Sequence, residues 1–421
     1  MTSEVCMMNR RAVVLAADSA TTVKYQTADG TKERYFKSAN KIVQLSNYHP
    51  VGVMIYASAD LLGVPWEIVI KAFRDHLGQK SFNSVKEYAD EFFAFINGSQ
   101  LLFPSAVRRS SYLHAARIAA LQVIVPLAKD GSVEDRRKRS DSAIVAESEK
   151  VAADAFAPGM DQAFADELVG SMLEELVELL RGWLTGLNLV EPSDLLQLAR
   201  LGVMRTLKAP EKYLGSTGLV FAGFGDHDVF PVMVEFKSCG LVDSRHIARP
   251  GEEMAIDHSV PAWLSAFAQT SMSDTFLMGF SGDIFVSVMG AVRKEIAELV
   301  DAAATASGGH AHDIADKANL IEQAINRIGD AVLKEAESEH ATPLRRVLSA
   351  LPVDEMTELA ETLITLQSLK EKVTQPSESV GGPVDVAVIT KNEGMVWIKR
   401  KHFFDPDLNS RYMQRQAAIY R

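Results

Sequence analysis

Cysteine is almost absent from this 421-residue chain, which contains only Cys6 and Cys239. Two thiols cannot build the disulfide framework of a small secreted domain or a four-thiolate zinc site, and they predict a reducing, cytoplasmic compartment. Long apolar runs are missing as well. No stretch reaches the roughly 20 residues that a membrane span needs, and the first residues lack the basic-then-apolar order of a signal peptide, so no membrane partner is expected. A Walker-type Gly-rich lysine loop is also lacking, so any ATP-driven partner is expected to be a separate chain. Positive charge is in deficit: the formal net charge is -11, which disfavours long-range attraction to nucleic acid. His310, His312 and Asp313 have a spacing that could hold a metal. They sit in an Ala/Gly/Ser-rich linker, which favours a solvated loop, and no metal or cofactor is expected.

What the chain does have is enough apolar sequence, 47%, to bury a full core over more than one unit of structure. Residues 3–8 and 11–17 read as two strands around a polar turn at Asn9-Arg10-Arg11, and a second hairpin turns at Asp29-Gly30. Two more strands, "NKIVQLS" and "VGVMIYASAD", precede a change of period. Trp66, Val69, Ile70 and Phe73 then recur at helical spacing, and "SVKEYADEFFAFI" repeats that pattern. Residues from about 106 to 212 read as helical, with the charge run Arg136-Arg137-Lys138-Arg139 in an interhelical loop. Strands return at "STGLVFAGFGDHDVFPVMVEFKSCGLVDSRHI", helices at about 261–300 and 314–373, and a closing hairpin turns at Asn392-Glu393-Gly394. The end is basic, with seven Lys/Arg against three Asp/Glu over residues 391–421, and reads as a surface strand and terminal extension. Strands drawn from three separated segments predict a layered α/β (α+β) protein with sheets inside helices.

The second residue carries the chemistry. Once Met1 is removed, Thr2 presents a hydroxyl and a free amine, and an α-amine with a pKa of roughly 7.7–8.0 can take the hydroxyl proton directly or through water. Threonine is small enough to permit that removal without a propeptide. Asp18 follows sixteen positions later, and Lys41 opens a later strand. An ammonium beside the nucleophile favours the alkoxide and holds the amine neutral, while a carboxylate fixes the ammonium in place. Spacing alone favours the plainer reading, with Asp18 as a turn cap and Lys41 as a surface strand residue.

"VVLAADSATT", "NKIVQL" and "GVMIYASAD" leading into a helix resemble the catalytic β subunits of the proteasome, nearest to the simpler bacterial form. "LVFAGFGDHDVFPVMVEF" and "VGGPVDVAVITKNEGMVWI" are similar to later strands of the same family, so the resemblance spans about half the chain in three pieces. It implies a four-layer αββα sandwich of the N-terminal nucleophile hydrolase type. Residues 1–105 and 213–283 would form the sandwich, 106–212 and 284–350 would be helical insertions, and 351–421 would supply a final helix, hairpin and tail.

The same resemblance implies Thr2 as nucleophile, Asp18 and Lys41 as its support, and the backbone N–H groups near Tyr56 and Ala57 as the oxyanion site. It implies that Thr22 pairs with an extended peptide, while Thr21, Met54 and Ser58 shape the pocket. The chain departs from the family in its larger helical blocks, in lacking a clear match for a mid-fold serine, and at two further places. Tyr56 stands where the family has glycine, and Ser377 and Val380 stand where an aspartate and a serine support the amine, with Glu378 or Ser379 as substitutes. The expected activity is hydrolysis of amide, chiefly peptide, bonds in a homo-oligomer, with a separate ATP-driven unfoldase as a partner. The competing expectation is a non-catalytic shell or interaction protein of the same fold.

Overall fold

The computed structural model describes residues 2–27, 30–129, 131–306, 316–374 and 380–419. His310, His312 and Asp313, and likewise Ser377, Glu378 and Ser379, lie outside the described residues. Strands β1 (Ser3–Asn9) and β2 (Val13–Ala17) are buried along their whole length, as expected of strands covered on both faces. Asn9 makes the turn between them: its side-chain oxygen accepts the N–H groups of Arg11 and Ala12 at 2.9 and 3.4 Å. Next come the ribbon β3 (Thr21–Thr27) and β4 (Gly30–Phe36), then β5 (Ile42–Gln44) and β6 (Val51–Ala57). A two-residue ladder, β7 (Asp60–Leu61) with β8 (Val64–Pro65), leads into helices α1 (Trp66–Leu77) and α2 (Val85–Gly98).

A helical segment follows, made of α3 (Ser105–Ile124), α4 (Val133–Ala153), α5 (Gln162–Gly186), α6 (Leu195–Lys208) and the short α7 (Pro210–Tyr213). Strands β9 (Thr217–Gly223), β10 (Val232–Val242), β11 (Arg245–Ala255) and β12 (Ala262–Ala268) come next. After them come α8 (Ser271–Met278), α9 (Gly282–Ala306), α10 (Lys317–Ala336), α11 (Thr342–Ala350) and α12 (Val353–Thr374). The chain closes with β13 (Asp385–Thr390), β14 (Gly394–Lys399) and α13 (Ser410–Ile419). The result is a mixed α+β fold with two five-stranded antiparallel sheets, β12-β1-β2-β13-β14 and β11-β10-β9-β6-β5. No single helix among the described residues is long and apolar enough to cross a membrane.

Side-chain alternation explains how the sheets pack. From β1, Cys6 and Met8 join Met54, Val220, Ala222 and Met233 of the other sheet in one buried cluster, so these faces lie against each other. The intervening Val5 and Met7 face the opposite way, against Leu348, Met356, Leu363 and Ile364 of α11 and α12. On the second sheet, Val53, Leu219 and Phe221 meet Trp66, Phe73, Tyr88 and Phe92 of α1 and α2. Burying each such large side chain stabilises by about 1.5–3 kcal/mol. A fourth cluster holds α3 to α6 together and reaches Cys239, Val242 and Ile247 on β10 and β11.

Two expectations need correction. Residues 262–268 are not helical: they form β12, paired with all of β1 from Ser3↔Ala268 to Asn9↔Ala262. Alanine-rich composition suggested helix, but the segment alternates, with Ala262 and Leu264 facing α12 while Trp263 and Phe267 face the other sheet. Arg136-Arg137-Lys138-Arg139 is not a loop either. It lies within α4, whose start is set by a capping box in which Ser132 accepts the Asp135 N–H and Asp135 accepts the Ser132 N–H.

Candidate functional site

The site forms where β1 begins, where β2 ends and where the chain enters β5 and β13. Asp18 is its node. One carboxylate oxygen accepts the Ser3 N–H at 3.0 Å and the Lys41 ammonium; the other accepts the N–H groups of Ala20 at 3.1 Å and Gly381 at 2.8 Å. Gly381 reaches this position with φ of 144°, a backbone conformation open to glycine. Lys41 is itself held by the main chain, its carbonyl accepting the Ile55 N–H at 2.8 Å. A buried carboxylate and ammonium so provided with partners are fixed in place, which is what aiming a charge at a reacting atom requires.

Thr2 occupies the mouth of this arrangement, 6% exposed. Its carbonyl accepts the Gln269 N–H at 2.9 Å, which aligns the segment beside the end of β12. The hydroxyl donates to Glu4 Oε2 at 3.2 Å. Sequence reasoning missed Glu4. It is fully buried, with Oε1 3.5 Å from the Lys41 ammonium and without a hydrogen-bond partner. Burial pushes its pKa up to about 8; the nearby Asp18 charge adds to this, while Lys41 and the Thr2 hydroxyl oppose it. The signal was available in strand alternation, because residues 2, 4, 6 and 8 share one face of an extended segment and Cys6 and Met8 line the inter-sheet core.

A cleft of about 170 Å³ opens beside Thr2, lined by Thr21, Lys41, Tyr56, Ala57 and Ser58 on one side and by Pro65, Trp66 and Glu67 at the start of α1 on another. Asp18 is not itself a lining residue and is joined to the cleft through the lining Lys41. Met54, expected to shape the pocket, is not among the lining residues: it is fully buried between the sheets, two places before the lining Tyr56 on the same face of β6 and packed with Ile42 and Val220. Thr22, expected on the strand that pairs with an extended peptide, follows the lining Thr21 along β3. Ser58 lines the cleft with its hydroxyl donating to Asp60 O at 3.2 Å.

Tyr56 lines the cleft and is accommodated by the strand opposite. It pairs with Gly218, where a Cβ would stand 1.9 Å from the tyrosine ring, so glycine makes the space the ring fills. The ring stacks on Phe267 at 5.6 Å and its hydroxyl donates to Glu235. Burial and that carboxylate push the phenol pKa upward and keep it protonated. The left-handed backbone falls one residue later, at Ala57, with φ of 70°. That turn ends β6 at the cleft. Val380, expected near the amine, is an apolar buried residue next to Gly381.

No protein-family model matches this chain, and no curated protein matches it. Among solved structures, the chain is similar to a Gly-1 mutant of Anbu from Hyphomicrobium sp. strain MC1, with 10% sequence identity, 100% of this chain and 98% of that chain covered, and a TM-score of 0.28.

Proposed function

We propose that this chain is a threonine hydrolase of the proteasome-like N-terminal nucleophile type, a four-layer αββα sandwich that cleaves amide, chiefly peptide, bonds through an acyl-enzyme. The observation that carries the reading is the placement of the Thr2 side chain at a cleft beside the buried Lys41–Asp18 pair. After Met1 is removed, the Thr2 hydroxyl attacks the amide carbonyl, and the Lys41 ammonium stabilises the charge that develops on Oγ. The Thr2 amine receives the hydroxyl proton and delivers it to the leaving nitrogen. Backbone N–H groups at Tyr56 and Ala57 hold the carbonyl oxygen, and water releases the acyl group. Thr21 borders the substrate path. In this reading the protein works as a homo-oligomer supplied by a separate unfoldase.

Intact-mass measurement after incubation with a peptide epoxyketone tests the reading, because that reagent consumes both the hydroxyl and the amine of an N-terminal threonine. The expected result is a chain beginning at Thr2 with one adduct, absent from Thr2→Ala and strongly slowed in Lys41→Ala. A Thr2-initiated chain that takes up no adduct overturns it.

A further inference from the structure

Glu4 has no counterpart in the mechanism above, although it is the group whose carboxylate touches the Thr2 hydroxyl. It rises from the same face of β1 as Thr2, Cys6 and Met8, with one oxygen on that hydroxyl at 3.2 Å and the other 3.5 Å from the Lys41 ammonium. A carboxylate this deeply buried is retained against a large desolvation penalty, and its Oε1 has no hydrogen bond to offset it. Nothing in the packing demands an acid there, since its neighbours across the sheet are Ala17 and Phe267. The remaining titratable or charged groups that face it are Lys41, Asp18 and the Tyr56 hydroxyl, which carries Glu235 behind it.

We propose that Glu4 is a catalytic residue that takes the Thr2 hydroxyl proton in place of the Thr2 amine, so that the nucleophile is activated by a carboxylate within its own strand. This rests on the reading of Thr2 as nucleophile. In acylation the Thr2 O–H bond breaks, the proton passes to Glu4 Oε2, and the freed Oγ electron pair forms the bond to the substrate carbonyl carbon while the carbonyl π pair moves to oxygen. Collapse of that intermediate breaks the C–N bond, and the leaving nitrogen takes the proton back from Glu4. In deacylation water gives a proton to Glu4 as its oxygen attacks, and departing Thr2 Oγ recovers that proton. Glu4 ends ionised, as it began.

The arrangement carries a pH dependence. Only ionised Glu4 can accept a proton, and its carboxyl titrates at about 8, so acylation rises with pH through the neutral-to-alkaline range. The unfolded carboxyl ionises near 4.5. Between that value and the folded one, folding takes up a proton, so Glu4 lowers stability progressively as pH rises through the window. Glu4→Gln removes this penalty.

The test is the rate at which a β-lactone, which acylates the hydroxyl without needing the amine, modifies Thr2 in wild type, Glu4→Gln and Glu4→Asp across pH. The expected result is a loss of about 100-fold in Glu4→Gln and partial recovery in Glu4→Asp. Melting of Glu4→Gln should rise at about pH 8.5 and change little at about pH 5, showing that the variant folds. Acylation of Glu4→Gln within about threefold of wild type with the same pH profile overturns the role of Glu4 while leaving Thr2 as nucleophile. A wild-type protein that is not acylated at Thr2 overturns both. Should Glu4→Gln fail to fold, carbon-13 NMR of the wild-type glutamate carboxyls decides: a titration coincident with the acylation midpoint supports the proposal, and its absence defeats it.

Discussion

Helices α5 and α9 have the same length, 25 residues, and both are rich in apolar residues, yet they are held in different ways. In α5, Phe164, Leu168, Met172, Leu176, Leu180 and Leu184 fall on one stripe and are all buried, mostly against α3 and α6. In α9 only Ala304 is buried, while Ile284, Val286, Val288 and Leu299 are 52–70% exposed. The reason is visible in "GDIFVSVMGAV", whose apolar residues lie all round the helix, so no single neighbour can cover them. Helix α10 provides one seam, with Gly329 near Met289 and Phe285, and exposed pairs such as Arg293–Glu322 and Lys317–Asp301 flank it. Exposed pairs of this kind contribute roughly 0–1 kcal/mol each. Periodicity establishes that a segment is helical, and the distribution of its apolar residues decides whether one partner can bury it.

The largest way to break this contrast is at the joint of the first helical segment. Arg108, 1% exposed at the start of α3, donates to the carbonyls of Phe103, Asn97, Asp243, Ile96 and Ser99, and so satisfies the open end of α2. Arg108→Ala leaves those acceptors buried without a donor, and urea unfolding should report a loss on the order of 4 kcal/mol or more. A smaller effect is expected within the segment itself. Leu180→Ala, at a fully buried position of α5, should lose about 2–5 kcal/mol in the same measurement. The smallest belongs to α9: Leu299→Ser, at a position 69% exposed, should change stability by less than about 0.5 kcal/mol. A loss at Leu299 equal to that at Leu180 would mean that the α9 surface is covered in the protein as measured.

The same contrast governs what could be read in advance. Turns announced themselves locally, at Asn9 and at Gly394 with its φ of 73°, and so did the apolar stripes of α1 and α2. Strand β12 did not, because what makes it a strand is the edge of β1, more than 250 residues away in the chain. The basic run in α4 looks like a polar break in sequence, but the Ser132 and Asp135 cap that precedes it starts a helix there. At the candidate site, Thr2, Asp18 and Lys41 stood out through the family resemblance and not through spacing; Asp18 and Lys41 pair, and Thr2 and Lys41 line one cleft. Glu4 was overlooked because residues 3–8 were read as strand without asking which face each residue took.

Asp18 also sets a clock. Its four donors come from residues 3, 20, 41 and 381, and β1 gains its outer neighbour only when residues 262–268 arrive. At ribosomal speeds of about 5–20 residues per second, residue 381 emerges some 20–70 s after residue 18. Until then Asp18 has only the donors of residues 3, 20 and 41, and lacks the Gly381 N–H that completes its second oxygen. During the same interval the β1–β2 hairpin presents two open edges, each a template for pairing with another chain.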